Sequence, residues 1–260
     1  MKAHINGIDV RYTVTGSGPW ITLSHSLACR LEMWDEEVKH LSKNFTVLAY
    51  DSRGHGESGA PAVPYTLDMI SDDIKGLLDH VGAKQTHWIG LSMGGVFGLH
   101  AALKYPGLFE TLVLADTSSK LLPEGVQAFK DRVATVKASG MEAMVEPTLK
   151  RWFKDSFRAR SPNLMDKVGR WIRTTPLDGY IGCSAAIPTV DVTDRLHEIT
   201  VPCMVMVGAD DIAMPPVMAE TLDRHLPESQ LVVIPDAGHL SNLEQSGAFN
   251  SALARFYKHY

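Results

Sequence analysis

The chain has 260 residues, of which 45% are hydrophobic and 21% charged, and its formal net charge is −5. This length is enough for one large domain or a core with an insertion, and the composition is that of an ordinary soluble globular protein. The negative net charge without a dense Lys/Arg block argues against nucleic acid as a partner, and no apolar run approaches the roughly 18 residues that a membrane span needs.

The cysteines are Cys29, Cys183 and Cys203, an odd number without a Cys-x-x-Cys pair. This spacing favours free buried thiols in a reducing compartment over a disulfide framework or a zinc site. Residues 1–4 run straight into alternating strand residues, which does not fit a signal peptide. We therefore expect a cytoplasmic protein without a metal site.

The predicted elements begin with a hairpin. It is indicated by a two-residue hydrophobic period, carried by Ile5, Ile8, Val10, Tyr12 and Val14. Residues 45–50 have no polar face, as in strands that are covered on both sides in a parallel sheet. Helical periodicity then covers residues 67–81. This order of elements predicts an α/β protein.

The most informative stretch is residues 90–95, Gly-Leu-Ser-Met-Gly-Gly. It follows the strand-like run 86–89 and opens the helix-like run 96–103, so Gly-x-Ser-x-Gly stands in the strand–turn–helix setting of a nucleophile elbow. A turn tight enough to lift a serine hydroxyl clear of a sheet leaves no room for side chains two positions away. The pattern predicts Ser92 as a nucleophile, the alternative being a chance Gly/Ser turn.

The strand pattern stops after Thr117 and resumes only at Cys203, and the residues between carry helical periodicity. The sequence thus predicts a core formed by residues 1–119 and 196–260, with an all-helical cap, residues 120–195, inserted after the sixth strand. The cap would lie over the sheet edge where Ser92 emerges. Part of its aromatic and methionine side chains should roof a pocket there.

A serine nucleophile needs a base and a group that orients the base. Among eleven histidines, His239 follows the last predicted strand and Gly238, at the edge where the elbow serine also emerges. His87 and His100 lack that placement, because one precedes the apolar core of the elbow strand and the other lies inside the elbow helix. Since binding groups collect on loops at strand ends, we expect His239 to be the base.

The carboxylate that orients the base is expected just after the strand that starts at Cys203, where two aspartates, Asp210 and Asp211, are adjacent in the sequence. Adjacent side chains there point in different directions, so only one can face the imidazole. We expect Asp211 to be the acid and Asp210 to be a turn former or a carboxylate at a helix N-terminus. Asp116, at the end of the preceding strand, is a minor alternative.

The oxyanion of an acyl-transfer reaction needs preorganised donors. One should be the backbone N–H of Met93, directly after the nucleophile. The second should come from the loop of residues 24–28, which follows an early strand. By position this donor is the N–H of Leu27, although the loop could serve only to turn the chain.

These motifs, with Asp-Ser-Arg-Gly-His-Gly-Glu-Ser at 51–58 and Trp34, resemble the α/β-hydrolase superfamily. The chain is most similar to the 3-oxoadipate enol-lactonases of aromatic-compound catabolism, and this likeness is carried by residues 151–153, 179–187 and 238–244. The resemblance implies a mostly parallel eight-stranded sheet with helices on both faces. It also implies that Ser92, Asp211 and His239 form the catalytic triad, with Arg53 and His55 as scaffold.

The resemblance further implies a serine hydrolase that cleaves an ester or lactone without a metal or organic cofactor. A carboxylesterase for small or aryl esters is the alternative, and perhydrolase or carbon–carbon hydrolase chemistry would use the same triad. The alternative among non-enzymatic proteins is a receptor that binds a small molecule on a hydrolase scaffold. His25 stands where the lactonases tend to have Asn, so the resemblance does not determine the exact substrate. The sequence does not determine the oligomeric state either.

A lactonase substrate carries a free carboxylate, which would need a cationic or strong hydrogen-bond partner when buried. The candidates are Arg30 on the core side and Arg132, Arg151, Lys154 and Arg173 in the cap. Since Lys and Arg are mostly exposed, each one taken alone is more typical of solvated surface. The hypothesis requires one of the five to turn inward.

Overall fold

The computed structural model describes residues 1–260, apart from the side chain of His259. Its strands, in chain order, are β1 (Lys2–Ile5), β2 (Ile8–Thr15), β3 (Trp20–Ser24), β4 (Thr46–Tyr50), β5 (Thr86–Leu91), β6 (Phe109–Ala115), β7 (Cys203–Gly208) and β8 (Ser229–Ile234). They form one eight-stranded sheet in the order β1-β2-β4-β3-β5-β6-β7-β8. The β1–β2 and β2–β4 pairs are antiparallel and the others are parallel. The predicted mostly parallel sheet is confirmed.

The α-helices are α1 (Asp35–Leu41), α2 (Leu67–Val81), α3 (Met93–Lys104), α4 (Pro123–Ser139), α5 (Val145–Trp152), α6 (Asp155–Arg160), α7 (Pro162–Thr174), α8 (Leu177–Ala186), α9 (Pro216–His225), α10 (Ser241–Glu244) and α11 (Ser246–Phe256). Every residue of β5 and β7 is buried, because helices cover the central strands. This explains why those strands read as continuous apolar runs rather than as alternating ones. The edge strand β8 is more open.

Between β6 and β7 the chain is helical, with short 3₁₀ turns as far as Glu198. An isolated bridge between Lys120 and Asp191 joins the two ends of this segment, and the same two side chains form an ion pair at 2.8 Å. The two ends of the helical segment therefore lie next to each other at the sheet. Its division from the core as a cap of residues 120–195 stays a prediction.

All three cysteines are buried and free. Over the described part of the chain, no helix is both long and apolar enough to cross a membrane.

A buried carboxyl group links α1 to the two helices that follow β8. Glu37 has no exposed surface and accepts hydrogen bonds from the side-chain amides of Asn242 (3.4 Å) and Asn250 (3.3 Å). Burial raises the pKa of Glu37 from its ordinary 4.5 to about 8.

Glu37 is therefore expected to make the protein less stable as the pH rises. The folded protein holds this proton to a higher pH than the unfolded chain, so the free energy of unfolding falls between about pH 4.5 and 8, on the order of 1.4 kcal/mol per pKa unit. Glu37→Gln mimics the protonated acid and should remove this fall. Denaturant unfolding at pH 5 to 8.5 measures it, and the difference between the two proteins cancels the titration of other groups. Equal pH slopes would contradict the expectation.

Candidate active site

The serine at position 92 sits on a strained turn between β5 and α3. Its backbone adopts φ 55° and ψ −110°, a conformation that L-residues rarely adopt and that nucleophile elbows use. A side chain at Gly90 would collide with the carbonyl oxygen of Gly94, and one at Gly94 would collide with the backbone of Ser24. The small residues of the motif are thus required by the close approach of backbone on both sides.

Three side chains from distant parts of the chain form a continuous hydrogen-bonded row. Ser92 Oγ lies 2.9 Å from His239 Nε2, and His239 Nδ1 lies 2.8 Å from Asp211 Oδ2. All three residues are buried. The second carboxylate oxygen of Asp211 accepts the backbone N–H groups of Ala213 (2.7 Å) and Met214 (2.9 Å). The carboxylate is therefore held with one oxygen aimed at the imidazole.

This arrangement determines the tautomer of His239. Because the Asp211 carboxylate only accepts, Nδ1 of the imidazole carries the proton and Nε2 is left to accept from the Ser92 hydroxyl. The row can therefore move a proton from the serine to the imidazole while the carboxylate stabilises the cation that forms.

The two other aspartates considered as acids have different partners. Asp210 is exposed and pairs with Lys154, its carboxylate 2.7 Å from Nζ. Asp116 is fully buried, accepts the N–H of Gly208 (2.8 Å) and the hydroxyl of Ser241 (2.5 Å), and makes no hydrogen bond to the imidazole. Burial and the charge of Asp211 raise the pKa of Asp116 well above its ordinary value. Asp116 thus links the end of β7 to the start of α10 through these two hydrogen bonds.

The backbone N–H groups of Leu27 and Met93 have no acceptor among the described residues. Met93 is the first residue of α3, so its N–H has no partner within the helix. Both residues line the same pocket as Ser92. Two free donors beside a serine can receive a developing negative charge.

His25 holds the peptide group that contains the Leu27 N–H. Its Nδ1 lies 2.8 Å from the carbonyl oxygen of Ser26, and its Nε2 accepts the N–H of Ser52 at 3.0 Å. The carbonyl can only accept and the N–H can only donate, so His25 is neutral with its proton on Nδ1. Burial lowers its pKa to about 4. In a trans peptide the N–H lies opposite the carbonyl, so this bond sets the direction of the Leu27 N–H.

A partly enclosed pocket with a cavity volume of about 60 Å³ opens beside the serine. Its wall is mainly apolar and comes from the loop of residues 24–28, the turn at Ser92, the helical segment between β6 and β7, and the loop after β7. The lining residues are Ser26, Leu27, Ser92, Met93, Val96, Leu121, Gly125, Phe129, Arg132, Arg151, Trp152, Ile187, Ala213, Met214, Met218 and His239. Sequence reasoning did not single out Leu121, Ile187, Met214 or Met218 as lining residues, since no local pattern distinguishes them from other core positions.

Two of the five candidate cations, Arg132 and Arg151, line this pocket, and the other three do not. Lys154 is bound to Asp210 and Asp236, and Arg173 to Glu142. Arg30 lies 4.0 Å from Glu32.

Arg132 and Arg151 are half-buried, and neither has a carboxylate within 4.0 Å among the described side chains. The guanidinium of Arg132 lies 4.2 Å from the centre of the Phe129 ring. Burial and the charge of Arg132 lower the pKa of Arg151 to about 10, so both groups are cationic at neutral pH. The pocket therefore holds two positive charges without a protein counter-ion.

The helical segment is also bonded to the loop that carries the histidine. The carbonyl of Trp152 accepts the N–H of His239 at 2.8 Å, and Glu244 accepts the N–H of Gly238 at 2.9 Å and that of Lys154 at 3.3 Å. Lys154 adds ion pairs to both neighbouring loops. The wall that contains Arg151 and Trp152 is thus fixed relative to the imidazole.

The chain matches the family model described as the alpha/beta hydrolase fold over residues 19–246. It belongs to the α/β-hydrolase family. The hydrolase is 32% identical over 255 residues to "3-oxoadipate enol-lactonase 2" of Acinetobacter baylyi, a match that covers 97% of this chain and 94% of the relative.

Solved structures agree with this relationship. The enol-lactonase from Burkholderia xenovorans LB400 superimposes with a TM-score of 0.95 at 33% identity, covering 99% of this chain and 100% of that one. A thermophilic esterase from Thermogutta terrifontis, solved with malate bound, has a TM-score of 0.93 at 29% identity and covers 99% and 97%. The protein is a hydrolase of the class that acts on ester or lactone bonds.

Proposed function

We propose that this hydrolase opens a lactone that carries a free carboxylate, as a 3-oxoadipate enol-lactonase does, with Ser92, His239 and Asp211 as its catalytic triad. The observation that carries the proposal is the pocket itself. It combines the Ser92–His239–Asp211 row with two arginines that lack a protein counter-ion. The reaction would belong to the breakdown of aromatic compounds, in the cytoplasm.

In the first half of the reaction the Ser92 oxygen attacks the lactone carbonyl carbon and its proton passes to His239 Nε2. The carbonyl electron pair moves onto oxygen, and the N–H groups of Leu27 and Met93 bind the resulting oxyanion. Asp211 keeps the Nδ1 proton of the imidazole in place and stabilises the cation. Collapse of the intermediate then breaks the ring C–O bond.

The released ring oxygen is an enol oxygen when the substrate is an enol-lactone. It is a good leaving group, because a delocalised enolate oxygen is less basic than an alkoxide. The His239 cation returns its proton to that oxygen, and the enol then isomerises to a ketone. A water molecule, deprotonated by His239, then attacks the acyl group on Ser92 and releases the acid. The residues present can perform both halves without a further catalytic group.

The two pocket arginines would hold the substrate carboxylate. A buried carboxylate needs a cationic partner, and guanidinium groups can bind it through two parallel hydrogen bonds. The apolar wall would pack against the ring and its carbon chain. Binding at this anchor would place the lactone carbonyl over Ser92.

Neutralising either pocket arginine tests whether the substrate carries a carboxylate that these side chains bind. Arg151→Gln and Arg132→Gln should each raise KM for a carboxylated enol-lactone about 10-fold or more, because a charge-assisted hydrogen bond is lost. KM for a neutral aryl ester should change little. Arg173→Gln is the matched control, since Arg173 lies on the same helical segment but pairs with Glu142 outside the pocket.

Comparing turnover of the carboxylated enol-lactone and the neutral aryl ester by the wild-type protein also distinguishes a lactonase from a carboxylesterase for small or aryl esters. A lactonase should prefer the carboxylated lactone and be inhibited by free dicarboxylates. Faster turnover of neutral aryl esters, with no dicarboxylate inhibition, would make the protein a generic esterase. Saturable binding without turnover of any of these compounds would favour a receptor on a hydrolase scaffold.

A further inference from the structure

The oxyanion loop, residues 24–28, contains a hydroxyl group without a partner. Ser26 has no exposed surface, and its Oγ makes no hydrogen bond among the described residues. A buried hydroxyl in this state costs folding free energy, and such groups in native proteins call for an explanation.

The location of this hydroxyl suggests what it binds. Ser26 lines the pocket beside Ser92, Leu27 and Met93, and the lining described above contains no hydroxyl side chains other than those of Ser26 and Ser92. Ser26 thus belongs to the wall that also offers the two free backbone N–H groups.

The backbone of Ser26 is held so that the residue cannot shift towards another partner. Its carbonyl accepts Nδ1–H of His25 at 2.8 Å and the N–H of Cys29 at 3.1 Å. His25 is in turn fixed by the N–H of Ser52 at 3.0 Å. With the backbone held in this way, rotation about the Cα–Cβ bond can still turn the hydroxyl towards an oxygen atom bound in the pocket.

We propose that the Ser26 hydroxyl is a third donor of the oxyanion hole, and this rests on the proposed function. When the Ser92 Oγ–carbon bond forms, the carbonyl π electrons move onto oxygen and the serine proton moves to His239 Nε2. The oxygen then carries a full charge and accepts from Ser26 Oγ–H together with the N–H groups of Leu27 and Met93. Because the bound ester carries no such charge and the transition state already carries much of it, the hydroxyl acts on kcat more than on KM.

Ser26→Ala tests this assignment with 4-nitrophenyl acetate as substrate and phenylboronic acid as a tetrahedral analogue bound to Ser92. We expect kcat to fall about 10- to 100-fold, somewhat less than for a backbone donor, with KM within about 2-fold. Affinity for the boronic acid should fall by a similar factor. The thermal midpoint should not fall, because alanine removes an unpartnered hydroxyl.

Ser118→Ala is the matched control, because Ser118 is also buried with an unpartnered Oγ but does not line this pocket. It should keep its kcat. If Ser26→Ala keeps kcat and boronic-acid affinity, the assignment is overturned. It is overturned as well if kcat falls together with the thermal midpoint, since the hydroxyl would then support the loop. Turnover by Ser92→Ala would instead reject the proposed function.

Discussion

Replacement of Ser92 by alanine is expected to lower kcat by at least about three orders of magnitude on any ester or lactone that the protein hydrolyses. The hydroxyl oxygen is the atom that would form the acyl bond, and neither His239 nor Asp211 can replace it. The remaining rate should come from the oxyanion donors and substrate binding alone. Steady-state kinetics with a carboxylated enol-lactone and an aryl ester measures the loss.

The same variant should fold normally. Ser92 contributes its backbone to the turn, and alanine has a β-carbon like serine, so the strained φ of 55° is no worse for it. Circular dichroism and thermal melting provide the control. Near wild-type turnover by a folded Ser92→Ala protein would remove the nucleophile-elbow hypothesis altogether.

The second large effect is expected at Asp211. Asp211→Asn should lower kcat by about 10²- to 10⁴-fold, because an amide can donate to Nδ1 and thereby stabilise the imidazole tautomer with its proton on Nε2, facing Ser92. Asp210→Asn should change kcat by less than about 3-fold, since Asp210 forms only a partly exposed ion pair with Lys154. Each of the two adjacent variants differs from the wild type by one non-hydrogen atom, and they serve as controls for one another.

If the two variants exchanged behaviour, the acid would be Asp210 and the assignment would be wrong by one residue. If both kept wild-type kcat while Asp116→Asn lost it, the acid would come from the end of β6. The observed hydrogen bonds of Asp116, to the Gly208 N–H and the Ser241 hydroxyl, make a supporting role for it the expected result.

Much of the fold could be predicted because its signals are local. Continuous apolar runs such as residues 45–50 indicate buried parallel strands, and the small residues around Ser92 indicate a tight turn, whatever the rest of the chain does. The position of His239 also follows from local pattern, because loops after parallel strands meet at one sheet edge.

Other features depend on contacts between segments far apart in the chain. The sequence showed five candidate cations with nothing to separate them, and only packing of the helical segment decided that Arg132 and Arg151 line the pocket. Lys154 resembled them in sequence but is bound to Asp210 and Asp236. The partner of a basic side chain depends on which acidic group the fold brings near it, and the periodicity of the sequence does not predict this.

The sequence by itself therefore determined the order of strands and helices, the elbow serine, and the histidine and acidic loop that follow it, since these depend on steric limits within a few residues. Tertiary structure decided which oxygen of Asp211 faces the imidazole, how His25 holds the Ser26 carbonyl, and which hydroxyl is left without a partner. Hydrogen-bond pairing is set by distances of about 3 Å between groups from different elements. Those distances exist only once the sheet, the loops and the helical segment have packed together.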